Sequence, residues 1–116
     1  VGGVTRAPIG VVRSQPGTRR ILEGAMEEVY SVAKALDIAL PDDIVSITME
    51  ILDSVEYGGT ASMQRDVMEG RYSELEAQIG ALVRMGQKTG VDTPVNTFIY
   101  NSLRPMELRA RGELEF

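Results

Sequence analysis

The sequence predicts an all-α domain, a bundle of about five main helices. Apolar residues recur at steps of three and four along most of the chain, as they do on one face of a helix. Glycine and proline separate these stretches, and no segment alternates apolar and polar residues convincingly enough to be a strand. With 116 residues, of which 43% are hydrophobic and 25% charged, the composition is that of one ordinary globular domain.

The first twelve residues are rich in glycine and proline, so we expect a turn and one short helical piece there. The segment Thr5–Gly10 could be a loop that faces a ligand, or a connector whose apolar neighbours pack on the core. The connector is the favoured interpretation, because loops carry function only where a site is near. The chain begins with Val1 rather than an initiator methionine, which we interpret as the start of a fragment or a processed chain.

The first long helix is predicted to begin at Pro16, with Ser14 as a possible N-cap, and to end at Asp37. Its buried face is the apolar series Ile21, Leu22, Ala25, Met26, Val29, Val32, Ala33 and Leu36. The adjacent carboxylates of Glu27 and Glu28 could hold a metal ion. Neighbouring residues of a helix point about 100° apart, so we expect both on the solvated face instead.

The second helix is predicted over residues 44–55, with Asp42 or Asp43 as its cap. The segment is rich in β-branched residues, which favour strands. The spacing of its apolar residues and the acidic cap favour a helix more strongly, and Tyr57-Gly58-Gly59 ends it.

Two shorter helices are predicted next. One opens at residues 60–61 and stops at Gly70. The other begins with a capping box formed by Ser73 and Glu76 and stops at Gly90.

The last helix is predicted to follow a turn at residues 91–94, with Asp92 or Thr93 as its cap and Pro94 in its first turn. Pro105 should end or kink it. Residues 106–116 are charged and lack a long apolar stripe, so we expect a frayed or loosely packed tail.

Composition excludes several classes of function. The net charge of −5 argues against a nucleic-acid or anionic-membrane surface. No apolar run could span a bilayer, and no secretory signal is present. The chain has no cysteine and no histidine, which excludes disulfides, thiolate nucleophiles, a Ser-His-Asp triad and any Cys- or His-ligated metal. We predict no metal site, no nucleic-acid partner and no membrane partner.

Two polar residues are candidates for a binding site. Ser62 lies near the start of the third predicted helix, and Glu74 lies 12 positions later in the first turn of the fourth. A hydroxyl and a carboxylate at adjacent helix starts could face one ligand from two sides. Each also has an ordinary structural explanation, Ser62 as a cap or back-bond and Glu74 as a first-turn acid. Arg65 and Arg71 could bind an anion, although a solvated or salt-bridged face is the simpler interpretation.

Several segments, taken in order, resemble the C-terminal domain of ketopantoate reductase (2-dehydropantoate 2-reductase). The resemblance covers nearly the whole chain, and its order and spacing are more specific than any single motif. The segments are Ala7-Pro8-Ile9-Gly10, Glu27-Glu28-Val29, Ala33-Lys34-Ala35, Ser62-Met63-Gln64-Arg65-Asp66, Gly70-Arg71, Ser73-Glu74-Leu75-Glu76-Ala77, Gly80 and Gly90-Val91-Asp92-Thr93-Pro94-Val95-Asn96.

The resemblance implies the helical, substrate-side domain of a two-domain reductase, similar to the C-terminal domain of 6-phosphogluconate dehydrogenase. In that family an N-terminal Rossmann domain, absent from this chain, binds NADPH, and a hydride passes to the ketone of ketopantoate to give pantoate for coenzyme A synthesis. We expect a cytoplasmic protein. We also expect a homodimer, because removal of the nucleotide domain would expose an apolar surface; the native oligomeric state stays open. Which 2-oxo acid is reduced stays open.

The resemblance assigns roles to two residues of this chain. Ser62 matches the serine that hydrogen-bonds the substrate, and Glu74 matches the glutamate beside the cofactor and the catalytic lysine. That lysine is expected upstream of Val1, so no catalytic residue is expected here and the fragment should be inactive alone. Arg6 stands where some members place a substrate-contacting asparagine. Lys34 and Lys88 do not match the position of the lysine.

A rival hypothesis is a free-standing helical dimerisation or interaction module in which Ser62 and Glu74 are structural. A nucleotide-binding glycine motif and a lysine-bearing helix encoded upstream of Val1 would support the enzyme. A start codon directly before Val1 would support the module.

Overall fold

The computed structural model describes residues 1–116 and contains seven α-helices and no strand, so the all-α prediction is confirmed. The helices are α1 (Gly2–Thr5), α2 (Ile9–Ser14), α3 (Pro16–Ala35), α4 (Ile44–Ser54), α5 (Ser62–Met68), α6 (Ala81–Thr89) and α7 (Pro94–Ala110). A π-helical turn, Glu76–Gly80, runs directly into α6. The five predicted helices correspond to α3, α4, α5, the π-helical turn with α6, and α7. No helix combines the length and the apolar character needed to cross a membrane.

Helix α3 begins at Pro16 as predicted and is the longest of the molecule. The predicted cap is wrong, because Ser14 is the last residue of α2 and its hydroxyl donates to the carbonyl oxygen of Val11. Gln15 takes the cap position and makes no side-chain cap. Beyond the helix, Asp37 adopts a left-handed φ of 57°, which turns the chain away from α3.

Helix α4 confirms that spacing outweighs β-propensity in this segment. Asp43 occupies the N-cap position but makes no side-chain cap hydrogen bond, so the predicted capping role is wrong. Two side-chain contacts tie α4 and the turn before it to α3 instead. Arg19 binds Asp53 with an Nη1–Oδ1 distance of 2.7 Å, and the Tyr30 hydroxyl donates to Asp42 at 2.8 Å.

The main core forms where α5, the segment before the π-helical turn, and α7 meet. Its four buried residues are Val67, Leu75, Ile99 and Leu103. Leu75 is completely buried. This core holds the segments that carry Ser62 and Glu74 against the long helix α7.

The N-terminus of α7 is capped by a residue of another helix. Glu28 of α3 is only 9% exposed and accepts hydrogen bonds from the backbone N–H groups of Val95 and Asn96, at 2.8 and 2.9 Å. The predicted Thr93 cap is therefore wrong; Thr93 holds the N-cap position without a side-chain cap bond. The prediction of a solvated face holds for Glu27, which is exposed, and is wrong for Glu28. A buried carboxylate is favourable here because it meets free helix N–H groups.

Helix α7 continues past Pro105 to Ala110, so the predicted end at Pro105 is wrong. Proline lacks the N–H that would bond to Asn101 one turn earlier, yet packing maintains the helix. Met106 lies against the main core and Glu107 is 3% exposed. The predicted loose tail is therefore confined to the residues after Ala110.

Candidate functional site

Ser62 is the first residue of α5 and is exposed to solvent. Its hydroxyl makes no hydrogen bond within the chain: it neither caps α5 nor bonds back to a preceding carbonyl. The preceding residue, Ala61, holds the N-cap position with an extended backbone, φ −77° and ψ 154°. Both ordinary structural roles considered for Ser62 are therefore unused in the structure.

The N-terminal end of α5 is fixed by polar contacts on both sides of Ser62. Arg65 donates through Nη1 to the carbonyl oxygen of Thr60 at 2.6 Å and to its hydroxyl at 2.9 Å. Gln64 is 5% exposed, and its amide nitrogen donates to the carbonyl oxygen of Ala7 at 3.0 Å. These contacts position the start of α5 relative to the chain's first residues.

A cleft of about 360 Å³ opens beside this helix start. Ala61 and Gln64 line it from α5, and Leu52 and Val55 line it from the end of α4. Most of its lining is apolar. Ser62 directly follows the lining residue Ala61 but does not itself line the cleft. A mainly apolar cleft with a few polar groups nearby is common in small-molecule sites.

Glu74 is exposed and lies just before the buried Leu75. The side-chain amide of Gln78 donates to Oε2 of Glu74 at 2.6 Å, and the backbone N–H of Gln78 donates to its carbonyl oxygen at 2.9 Å. The second carboxylate oxygen, Oε1, accepts no hydrogen bond within the chain. Glu74 is thus oriented by one partner and retains an oxygen that can accept from a ligand.

The turn that precedes Glu74 is anchored by a buried carboxylate of α7. Both oxygens of Glu107 accept from the backbone N–H of Ser73 at 3.1 Å, and Oε2 also accepts from the Ser73 hydroxyl at 2.7 Å. Arg111 pairs with the same carboxylate at 3.0 Å. The predicted capping box is wrong, because Glu107 rather than Glu76 satisfies the Ser73 N–H.

Glu76 instead belongs to a second polar cluster at the π-helical turn. Its Oε1 accepts from the Tyr100 hydroxyl at 2.6 Å, and its Oε2 pairs with Arg84 at 3.2 Å. The Tyr100 hydrogen bond, helped by Arg84 and Arg104, holds the pKa of Glu76 below its usual value. Burial, followed by the bond to Glu76, raises the pKa of Tyr100. These bonds fix the first turn after Glu74.

The structure places Ser62 and Glu74 at the starts of consecutive helical segments, both on the surface. They make no hydrogen bond to each other and share no partner. The intervening Arg71 pairs with Asp66 at 3.0 Å and also with Glu69, in keeping with the salt-bridged face considered above.

The remaining candidates lie elsewhere. Arg6 follows α1 with a left-handed φ of 60°, and its Nη2 lies 3.3 Å from the sulfur of Met106. It lines a second cleft, of about 540 Å³, together with Arg109. Lys34 and Lys88 are exposed in the last turns of α3 and α6. No group of three or more acidic side chains converges in a way that could hold a metal ion.

Comparison with known proteins gives consistent matches. The family model described as ketopantoate reductase PanE/ApbA C terminal matches residues 1–107. The 2-dehydropantoate 2-reductase of Pyrobaculum aerophilum is 30% identical over 107 residues, which is 92% of this chain and 38% of the relative. The chain therefore spans little more than a third of the length of that relative.

Solved structures give the same picture for the fold. A PanE/ApbA family ketopantoate reductase from Ralstonia eutropha superimposes with a TM-score of 0.83 at 26% identity, covering 95% of this chain and 37% of the other. A dimeric ketopantoate reductase from Staphylococcus aureus gives 0.87 at 22% identity, covering 94% and 38%. With the family model matched over almost all of its length, this chain belongs to the family of ketopantoate reductase C-terminal domains.

Proposed function

We propose that this chain is the substrate-side domain of an NADPH-dependent reductase that converts ketopantoate to pantoate for pantothenate and coenzyme A synthesis. The family membership supports the reaction class. The observation that carries the site is that Ser62 is exposed and its hydroxyl is free of internal hydrogen bonds, next in the chain to Ala61, which lines an apolar cleft. We propose further that the enzyme acts in the cytoplasm.

In this proposal Ser62 binds the substrate. Its hydroxyl donates a hydrogen bond to an oxygen of the 2-oxo acid, and the apolar lining near Ala61 packs against the aliphatic part. Arg65 and Gln64 hold the start of α5 in place, so the hydroxyl is positioned before the substrate binds.

Glu74 faces the cofactor and the lysine in the same proposal. A carboxylate with one free oxygen fits a ribose hydroxyl, an amide or an ammonium group. Glu107 anchors the preceding turn and Gln78 orients the carboxylate, so Glu74 is held from both sides along the chain. When bound, NADPH supplies the hydride. The nucleotide-binding domain and the lysine that protonates the ketone oxygen are proposed to lie on the part of the protein that precedes Val1.

The test is steady-state kinetics of the full-length reductase with Ser62→Ala and Glu74→Gln. Losing a hydrogen bond to a charged partner costs about 1.5–3 kcal/mol, so we expect kcat/KM for ketopantoate to fall roughly tenfold to a hundredfold. Matched controls are Ser31→Ala and Glu113→Gln, both exposed and neither lining the cleft. Wild-type turnover in both site variants would show that the assignment is wrong.

A second measurement concerns the 116-residue chain by itself. Mixed with NADPH and ketopantoate, it should give no oxidation of NADPH, because neither a phosphate-binding loop nor the catalytic lysine is part of it. Turnover above the buffer blank would contradict the proposal that catalysis needs both domains.

We also propose that the protein is a homodimer. The Staphylococcus aureus relative is described as dimeric, and several large apolar side chains of this chain are exposed, with Ile51 at 58%. The same exposure is what favours the rival interaction module. The kinetic test separates the two, because in a module neither Ser62 nor Glu74 affects catalysis.

A further inference from the structure

The side chain of Gln64 is only 5% exposed, yet the chain uses only the nitrogen of its carboxamide. Nε2 donates to the carbonyl oxygen of Ala7 at 3.0 Å and lies 3.8 Å from the sulfur of Met68. A carbonyl oxygen only accepts, so the bond to Ala7 fixes which branch of the carboxamide is nitrogen. The other branch, Oε1, accepts no hydrogen bond from any group of the chain. An acceptor left free on so buried a side chain is uncommon.

This free oxygen is accessible from the apolar cleft of about 360 Å³. Gln64 and Gly2 both line the cleft, and Oε1 lies so close to Gly2 that a Cβ atom there would overlap it. No completely buried side-chain nitrogen or oxygen of the chain lacks a partner, so Oε1 is not sealed off. Glycine at position 2 therefore makes room for an acceptor that a molecule in the cleft can reach.

The rest of the lining indicates what kind of group the oxygen accepts from. No side chain that lines the cleft is charged. The other polar side chain is that of Thr60, whose hydroxyl oxygen already accepts from Arg65 at 2.9 Å. An ammonium group would lose its hydration among these apolar walls without gaining a carboxylate, whereas a hydroxyl needs only one acceptor. The cleft therefore suits an aliphatic group that ends in a hydroxyl.

We infer that Gln64 accepts a hydrogen bond from a hydroxyl on the aliphatic end of the substrate, and that the enzyme thereby selects hydroxylated 2-oxo acids; the inference rests on the proposed function. The hydride comes from another domain, so the ketone must stay at the mouth of the cleft, near Ser62. Ser62 and Gln64 are two residues apart and point to different sides of α5. The aliphatic end therefore enters the cleft on the side of Ala61 and Gln64. Ketopantoate carries such a hydroxyl beyond its dimethyl-substituted carbon.

Kinetics of the full-length reductase with two substrates test the inference. The second substrate, 3,3-dimethyl-2-oxobutanoate, is ketopantoate without the hydroxyl. Wild type should prefer ketopantoate by about tenfold in kcat/KM, and Gln64→Met, which keeps the length of the side chain, should bring this preference close to one. The variant also loses the bond to Ala7, but that loss affects both substrates alike. The ratio of the two kcat/KM values therefore reports the hydroxyl contact alone.

A second variant keeps Gln64 and changes the space beside it. Gly2→Ala puts a methyl group where Oε1 lies and should reduce the preference for ketopantoate in the same direction. The matched controls are Gln87→Met, which is exposed on α6, and Gly17→Ala, where a Cβ atom meets nothing within 4 Å. Both controls should keep the wild-type ratio. Circular dichroism checks that each variant folds, and if Gln64→Met does not, the ratio for Gly2→Ala decides.

The outcomes separate the inference from the proposed function. Loss of the preference in both cleft variants, with both controls unchanged, supports the role of Gln64. Equal losses for the two substrates overturn it and make Gln64 purely structural. A wild-type enzyme that does not distinguish the substrates also overturns it, and the proposed reaction then stands if Ser62→Ala and Glu74→Gln impair turnover. An enzyme that reduces neither 2-oxo acid overturns the proposed function and the inference together.

Discussion

Helices α7 and α4 differ in which residues they bury: α7 buries polar side chains, whereas α4 leaves apolar side chains exposed. Helix α7 buries a carboxylate and a carboxamide, Glu107 and Asn96, at 3% and 5% exposure. Helix α4 is rich in isoleucine, yet Met49 is its one fully buried residue. The difference shows that position in the bundle, rather than local hydropathy, decides burial here. Helix α7 crosses the core and meets free backbone N–H groups, whereas α4 lies at the edge.

The largest effect is expected from Glu107→Ala. The substitution leaves the buried N–H and hydroxyl of Ser73 without their acceptor and Arg111 without its partner. Breaking a buried pair of this kind costs about 3 kcal/mol or more, so the free energy of unfolding should fall by that amount. Urea denaturation measures it. The exposed Glu113→Ala is the control, and equal midpoints for the two variants would contradict the role of Glu107.

A smaller loss is expected from Glu28→Ala. The carboxylate caps α7 and also accepts from the side-chain amide of Asn96 at 2.8 Å, but it has no cationic partner. Loss of an N-terminal cap costs about 1–2 kcal/mol, and the burial of Glu28 puts the expected value near 2 kcal/mol. Glu27→Ala, its exposed neighbour, should change the free energy of unfolding by less than about 0.5 kcal/mol. If the free energies of unfolding of the two variants differed by less than the fitting error, Glu28 would not be the cap of α7.

Tyr100→Phe should lower the free energy of unfolding by roughly 1 kcal/mol at neutral pH, the usual net value of one hydrogen bond. The pKa of Glu76 is depressed in the folded state, so its contribution is present above its unfolded pKa of about 4.3 and is lost as pH falls through the folded value. The difference in the free energy of unfolding between wild type and Tyr100→Phe should therefore become smaller below pH about 4. Unfolding curves from pH 7 to pH 3 check this, and a difference that stays constant would exclude the coupling between Tyr100 and Glu76.

The smallest effect is expected from Ile51→Ala, measured at protein concentrations low enough to keep the chain monomeric. Its side chain is mostly exposed, so the free energy of unfolding should change by less than about 0.5 kcal/mol. Met49→Ala, two residues earlier and buried, should cost at least about 2 kcal/mol. Equal losses would mean that the outer face of α4 is packed within the monomer.

Much of the order of the helices could be predicted, because the spacing of apolar residues and the positions of glycine and proline are local signals. The steps of three and four located α3 to α7, and Pro16 and Pro94 marked two helix starts. The sequence does contain an indication that Glu28 is buried. Glu28 lies three residues after Ala25 and four before Val32, on the apolar face of α3. An acid there is expected only if a helix N-terminus is known to pack against that face, which is a tertiary fact.

The site was predictable to a similar extent. The sequence predicts Ser62 near one helix start and Glu74 in the first turn of the next helix. The structure agrees for Ser62, whereas Glu74 lies just before the helical segment, ahead of the N-cap position held by Leu75. The sequence could not reveal that the Ser62 hydroxyl is unused or that Glu107 holds the turn before Glu74. The first depends on which neighbours approach α5. The second depends on a contact between residues 34 positions apart. Whether Ser62 and Glu74 act on one ligand stays a prediction.

The wide turn at Glu76–Gly80 gives the chain one point at which its length can change at little cost. A π-helical turn holds one more residue than an α-helical turn, so a single deletion there can be absorbed by reverting to regular α-helix. A deletion within the regular part of α6 has no such outlet and rotates what lies on one side of it by about 100° relative to the other. The first deletion would therefore keep α6 in register, whereas the second would turn one face of α6 away from its neighbours.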